Sequence, residues 1–242
     1  MGVCGCVEMI SPGRRDVLVD RLYRGVDPFV FYVPNEEDVD FQGWNSGHDF
    51  LSESIAALRP STVIEIGVWK GGSLMTMASV AKRLGIDSVF IAVDTWRGSS
   101  EHWLNEDCYP SLKVRGGISR LQETFMTNIM AKGLQSYVVP LPLDSVNAYQ
   151  VCLRQGISPD LIHIDAGHDF ESVSLDLRLW SSILADNGAI IMDDYLKDGC
   201  GKPVGFVEVA KAADEFICNN QDRVYNFKAR LGKCIFHLRR LP

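Results

Sequence analysis

The stretch DLIHIDAGHDFESVSLDLRLWSSILADNGAIIMDD, residues 160–194, carries the topology of the chain. It opens with the short apolar run DLIHID (160–165) and closes with a second, AIIMDD (189–194). Continuous apolar runs of this length mark strands buried on both faces. Between them Val173, Leu177, Trp180 and Leu184 recur three or four residues apart, one stripe of a helix over 172–184 that Asn187-Gly188 stops. A strand, a helix and a second strand in succession make a unit of a parallel sheet. Both strands end in carboxylates, Asp165 on the first and Asp193-Asp194 on the second.

The alternation continues on both sides. Upstream, TVIEIG (62–67) and SVFIAVD (88–94) read as strands, separated by the helix SLMTMASVAKRL (73–84). ISRLQETFMTNIMAKG (118–133) is a helix closed by Gly133, and YVVPLPL (137–143) is a strand leading into a helix over 145–155. Downstream, 203–218 is helical, and RVYNFKA and KCIFHLR read as a terminal antiparallel pair. Five β–α units and a hairpin predict an α/β fold, a single doubly wound domain with a mostly parallel seven-stranded sheet and a C-terminal antiparallel hairpin. Residues 1–44, interrupted by Pro12, Pro28 and Pro34, read as an irregular N-terminal extension to a domain over 45–242. Asn45 or Ser46 caps a helix that Arg59-Pro60 ends. The polar segment 95–117, with Trp96, His102, Trp103 and Tyr109, reads as a long functional loop. Its aromatics suit a lid over a ligand and equally a contact within a homo-oligomer.

Lys and Arg number 24 against 31 Asp and Glu, a net charge of −7 that disfavours nucleic acid or an anionic membrane as the main partner. The seven cysteines are odd in number and form no CxxC pair, which suits reduced thiols in a cytoplasmic protein. No apolar run reaches the roughly 18 residues of a membrane span, and no signal segment opens the chain. The opening MGVCGC places Gly2 at a myristoylation position with Cys4 and Cys6 as palmitoylation candidates. Position 6 is Cys where that signal has Ser or Thr, so a frayed terminus is the alternative.

Ligands of doubly wound sheets sit beyond the carboxyl ends of the strands. In VIEIGVWKGGS (63–73), Glu65 ends the first strand, Gly67, Gly71 and Gly72 form the turn, and Ser73 opens the helix. A dinucleotide site requires GxGxxG, but Trp69 stands where the second glycine belongs. Glu65 would also repel a pyrophosphate, so a zwitterionic ligand with an amino group fits better. Asp94, followed by Thr95, ends the second strand and is placed to accept ribose hydroxyls. Asp144-Ser145, after the third strand, could flank an adenine edge. A plain strand–turn–helix with a surface glutamate is the competing reading.

Asp165, Asp193 and Asp194 end neighbouring parallel strands, and three converging carboxylates repel one another unless a cation neutralises them. Oxygen-only ligands suit Mg²⁺ or a similar divalent cation, and no Cys or His pair with zinc spacing competes. The alternative is that one aspartate caps the next helix while another faces solvent. His168, three residues past Asp165, is placed to take a proton from a hydroxyl held at that cation, with Asp169 second in line. A capping or packing role is the alternative for His168. His48, His102 and His237 lack this placement, and His163, inside the strand, reads as buried structure.

The pattern E-I-G-x-x-x-G-G-S followed by Asp94 resembles motifs I and II of class I S-adenosylmethionine-dependent methyltransferases. The segment 161–195 is similar to small-molecule O-methyltransferases with a metal-binding aspartate cluster: catechol-type enzymes and, more closely, those acting on sugars of macrolide and aminocoumarin antibiotics. The resemblance covers residues 60–215, and its second stretch is the more specific. It implies a Rossmann-like domain that methylates a hydroxyl of a small molecule, in secondary metabolism, with S-adenosylmethionine and Mg²⁺ as cofactors. It implies that Gly67, Gly71 and Ser73 line the methionine part, that Asp94 holds the ribose, and that Asp144 lies near the adenine. Asp165 is assigned to both cofactor and metal. In catechol-type relatives a lysine base occupies the position of His168, and sugar-modifying relatives have a histidine there. Some relatives carry an aspartate where this chain has Gly167, which removes one rival base. The competing functions are a non-methylating, hydroxylase-like metal-binding relative, a nicotinamide oxidoreductase, and a catalytically silent scaffold.

Overall fold

The computed structural model describes residues 13–240; Gly2, Cys4 and Cys6 lie outside the described residues. Five parallel strands, β1 (Thr62–Ile66), β2 (Val89–Val93), β3 (Val138–Leu141), β4 (Leu161–Ile164) and β5 (Ala189–Met192), form the body of the sheet. β6 (Val224–Arg230) and β7 (Lys233–Leu238) complete it in the order β3-β2-β1-β4-β5-β7-β6, with β7 antiparallel to both neighbours. The seven-stranded architecture is the one the alternation predicts. Ile66 pairs with Val93 on one side and Ile164 on the other, and Ile164 pairs with Met192, so four strands end level. The strand order reverses between β1 and β4, where such sheets open a crevice for ligand.

Two hydrophobic clusters cover the sheet. Helices α1 (Arg14–Tyr23), α2 (Asp49–Leu58), α3 (Gly72–Arg83), α4 (Ser100–Leu104), α5 (Leu121–Ala131), α6 (Ser145–Arg154), α7 (Phe170–Ile183) and α8 (Val207–Asn219) follow the chain. Leu51, Leu74 and Phe125 of α2, α3 and α5 pack with Val63 and Phe90 on one face. Leu18, Ala148, Leu177 and Ala210 of α1, α6, α7 and α8 pack with Ile64 and Ile91 on the other. Alternate strand residues therefore face opposite layers, both dry, which is why the strands read as unbroken apolar runs.

The structure departs from the sequence reading in three places. Residues 14–23, expected to be irregular, form α1, because its side chains satisfy the free edge of β3. Arg15 donates to the Val138 carbonyl at 2.9 Å and forks onto Asp27 at 2.6 and 2.8 Å, and the Tyr23 hydroxyl donates to the Pro140 carbonyl at 2.6 Å. The cap of α2 is His48, not Asn45 or Ser46: its Nδ1 accepts from the Phe50 amide at 3.0 Å while Nε2 donates to the Arg230 carbonyl at 2.7 Å. Segment 95–117 is partly ordered by α4 and a 3₁₀ turn over Tyr109–Leu112, with Leu112 fully buried beneath it. None of the five described cysteines is paired, and among the described residues no helix is long and apolar enough to cross a membrane.

Candidate functional site

A cavity of about 1260 Å³ opens at the carboxyl edge of the sheet. Glu65, Gly67, Ser73, Asp94, Thr95, Asp144, Ser145, Asp165, His168, Asp193 and Asp194 all line it, whereas Gly71 and Asp169 do not. The fold thus gathers into one space candidates drawn from the ends of five strands.

Gly67 has φ +79°, and a Cβ there would stand 1.9 Å from the Asp165 carbonyl oxygen. Only glycine lets β1 turn this close to the end of β4. Gly71, at φ +90°, caps α3 with its Cα hydrogens against the Phe125 ring, so it shapes the turn from beneath. Asp94 braces the same turn: Oδ2 accepts from the amides of Val68 at 2.9 Å and Trp69 at 2.8 Å, and Oδ1 from that of Trp96 at 2.7 Å. Burial pushes its carboxyl above the usual range, and these three donors oppose the rise. Both oxygens already serve the turn, leaving only their remaining lone pairs for a ligand.

Asp144 caps α6, accepting from the side-chain amide and the backbone amide of Asn147 at 2.6 and 3.0 Å, and those two bonds hold its carboxyl below the usual range. The Ser145 hydroxyl accepts from Trp180 Nε1 at 2.8 Å and donates to Asp176. Asp176, on α7, is buried, and burial pushes its carboxyl up to about 6 against the bond from Ser145.

Glu65 is buried beside His163, whose Nδ1 lies 3.0 Å from Oε1; Oε2 is buried with no partner. Burial lifts the Glu65 carboxyl well above its ordinary value; the Lys233 charge opposes the rise, while Asp193 and Asp94 add to it. Burial likewise lifts Asp165, reinforced by Asp193. The three aspartates predicted as a cluster do not share one point. Asp193 pairs with the buried Lys233 through Oδ2, and its Oδ1 accepts from the Asp194 amide at 2.9 Å and Asn45 Nδ2 at 3.4 Å. Asp194 sits at φ +56°, with Oδ2 3.1 Å from His168 Nε2. Ligand atoms of Asp165, His168 and Asp194 lie within 4.8 Å of one another.

His168 is held from both sides, Nε2 toward Asp194 and Nδ1 toward Glu101 Oε2 at 3.1 Å, with the Phe206 ring centroid 4.0 Å away. Burial pulls its pKa down, but Asp194 and Glu101 outweigh it, so the imidazolium is stabilised beyond an ordinary histidine. Asp169, the second candidate base, accepts from the Ser172 amide at 2.9 Å as the cap of α7.

The outer wall is aromatic. Trp69 stacks on His102 at 4.3 Å and 21°, and Trp44 lies 5.6 Å from Trp69. Lys70, almost fully buried, ties this wall together by donating to Asp40 at 2.7 Å, Gln42 at 3.0 Å and Ser111 at 3.1 Å.

Glu101, Asp176 and Lys233 escape the sequence reading, because nothing local distinguishes them from solvated charges. His163 carried a usable signal: in parallel register it is the direct partner of Glu65.

The sequence profile of the family described as "Methyltransferase domain" matches residues 64–195, more than half of the chain. No curated protein matches. Among solved structures, the chain is similar to the O-methyltransferase TomG from Streptomyces achromogenes, in complex with SAM, with a TM-score of 0.58 at 11% identity over 94% of this chain and 96% of that one. It is also similar to the O-methyltransferase from Bacillus cereus in complex with SAH, with a TM-score of 0.57 at 14% identity over 94% and 98%.

Proposed function

The chain belongs to the methyltransferase-domain family, and on that basis we propose that it transfers a methyl group from S-adenosylmethionine to a hydroxyl of a small molecule. One observation carries the reading: Glu65 Oε2 is buried at the cavity wall, without a partner, beside a glycine turn that lacks the dinucleotide pattern. Such a carboxylate asks for a cation, and the methionine ammonium is one. Gly67 and Ser73 would flank the methionine part, with Gly71 shaping the turn. Asp94 and Thr95 would meet the ribose, and Asp144 and Ser145 the purine. S-adenosylmethionine supplies, when bound, a methyl already activated on sulfonium, so the protein's task is alignment and exclusion of water.

On the acceptor side, Glu101 accepts from Nδ1 of His168, and Nε2 faces Asp194, which favours the protonated ring; Nε2 would be free as the basic nitrogen only with Asp194 engaged by a cation. Nε2 would remove the acceptor proton. Asp165 and Asp194 fit a divalent cation, magnesium by their oxygen donors, which would offset the burial and the like charge of Asp193 that lift Asp165, and acidify a coordinated hydroxyl. Asp193 fits less well, its charge being balanced by Lys233. The aromatic wall of Trp44, Trp69 and His102 would cover the reactants from solvent.

Thermal-shift titrations with S-adenosylmethionine, S-adenosylhomocysteine and NAD, each with and without Mg²⁺, test the proposal. Stabilisation by the two adenosyl ligands is expected. Stabilisation by NAD alone would overturn it.

A further inference from the structure

Behind the cavity lie two buried groups that the proposed reaction does not use, Lys233 and His163. We propose that they are positioning residues, a relay that fixes the Glu65 carboxylate for the ammonium end of the ligand; the inference rests on S-adenosylmethionine being that ligand.

The hairpin delivers the first member. β7 runs antiparallel to β5, with Cys234 opposite Met192, so it begins where the parallel strands end. A two-residue turn, Leu231 at φ 48° and Gly232 at φ 87°, sets Lys233 at that start, where its side chain is wholly buried. Its ammonium pairs with Asp193 and lies 3.3 Å from His163 Nε2.

An ammonium has only protons to offer, so Nε2 must present its lone pair. The imidazole proton then resides on Nδ1 and is donated to Glu65 Oε1 at 3.0 Å. With Nε2 unprotonated against the Lys233 ammonium, the ring holds a single proton and the donor is neutral. Lys233 and Asp193 balance each other. Glu65 is thereby left with one oxygen anchored by a neutral donor and the other, Oε2, buried without a partner in a residue that lines the cavity. The Lys233 ammonium adds to the pull of the Glu65 oxygen in selecting this tautomer; with the proton on Nε2, Nδ1 would meet Oε1 lone pair to lone pair and turn the carboxylate aside.

The test compares S-adenosylhomocysteine with 5′-methylthioadenosine, which lacks the amino-acid group, by calorimetric titration of the wild type, Lys233→Met, His163→Leu and His163→Asn. For Lys233→Met and His163→Leu, S-adenosylhomocysteine affinity is expected to fall by about tenfold to a hundredfold, the worth of a hydrogen bond to a charged group. Affinity for 5′-methylthioadenosine is expected to stay within about threefold. His163→Asn, whose amide can donate from near the Nδ1 position, is expected to recover most of the loss. ¹⁵N shifts of His163 in the unaltered protein are expected to report the Nδ1–H tautomer, an assay that needs no variant to fold. An Nε2–H tautomer, or equal losses for both ligands, would overturn the relay. Failure of the unaltered protein to bind S-adenosylhomocysteine would instead overturn the cofactor reading, and the tautomer would then decide the relay alone.

Discussion

Asp176→Asn is expected to stabilise the protein, and to do so most strongly in alkali. Asp176 is buried on α7, and its carboxyl is pushed up to about 6 from an ordinary 3.8. For an acid whose folded pKa is raised, the folded state holds the proton more tightly than the unfolded chain. Its contribution is fully present below the unfolded pKa and is lost as pH rises through the folded one. A shift of about two units corresponds to a loss of about 3 kcal/mol once the carboxylate is ionised, at roughly 1.4 kcal/mol per unit. Asparagine keeps the shape and an oxygen for the Ser145 hydroxyl without the buried charge. Its advantage over aspartate is then about 3 kcal/mol at pH 8 and about half that at pH 5, where the wild-type carboxyl is mostly protonated. Urea unfolding at the two pH values measures this directly, and at pH 8 each kcal/mol raises Tm by about 2–4 °C for a chain of this size. If Asp176→Asn is no more stable than the wild type at pH 8, or if the difference does not change with pH, burial of this charge is not what costs stability. A destabilising carboxylate at this position is intelligible if it serves Ser145 at the purine end of the cavity, since sites trade stability for function.

Three further outcomes follow from the geometry. Gly67→Ala places a methyl 1.9 Å from the Asp165 carbonyl at a positive φ, and is expected to cost about 3 kcal/mol or more and to abolish ligand binding, read by thermal melting and titration. Asp165→Asn is expected to lose turnover while cofactor affinity is largely retained; full activity of that variant in the presence of a chelator would dismiss the metal role. Arg15→Met breaks the fork onto Asp27, whose carboxyl that guanidinium holds below its ordinary value, and is expected to cost about 1–2 kcal/mol at neutral pH. Asp27 contributes stability above the ordinary carboxylate range and loses it as pH falls through its lowered folded pKa, so wild type and variant converge in acid unfolding curves.

The sheet was legible because each parallel strand is buried on both faces and must be apolar along its length, a local signature. Glu65, Asp94, Asp165 and His168 were legible because strand ends in such sheets are the ligand edge whatever the sequence between them. Helix α1 was not: its residues 14–23 are polar enough to read as a tail, and only the free edge of β3 gives Arg15 and Tyr23 something to satisfy. Nor was the division of labour among the aspartates. Three carboxylates at neighbouring strand ends look equivalent in one dimension, yet Lys233 arrives from a hairpin 40 positions downstream of Asp193 and claims it alone.

Fold class, the edge of the sheet that carries the site, and the residue types gathered there are all written in consecutive residues, because periodicity and strand termini are local properties. Which carboxylates remain free, which are balanced by a buried cation, and which brace the backbone is settled only in three dimensions. Those outcomes depend on distances of about 3 Å between segments far apart in the chain, where burial makes each charge answer to its nearest partner.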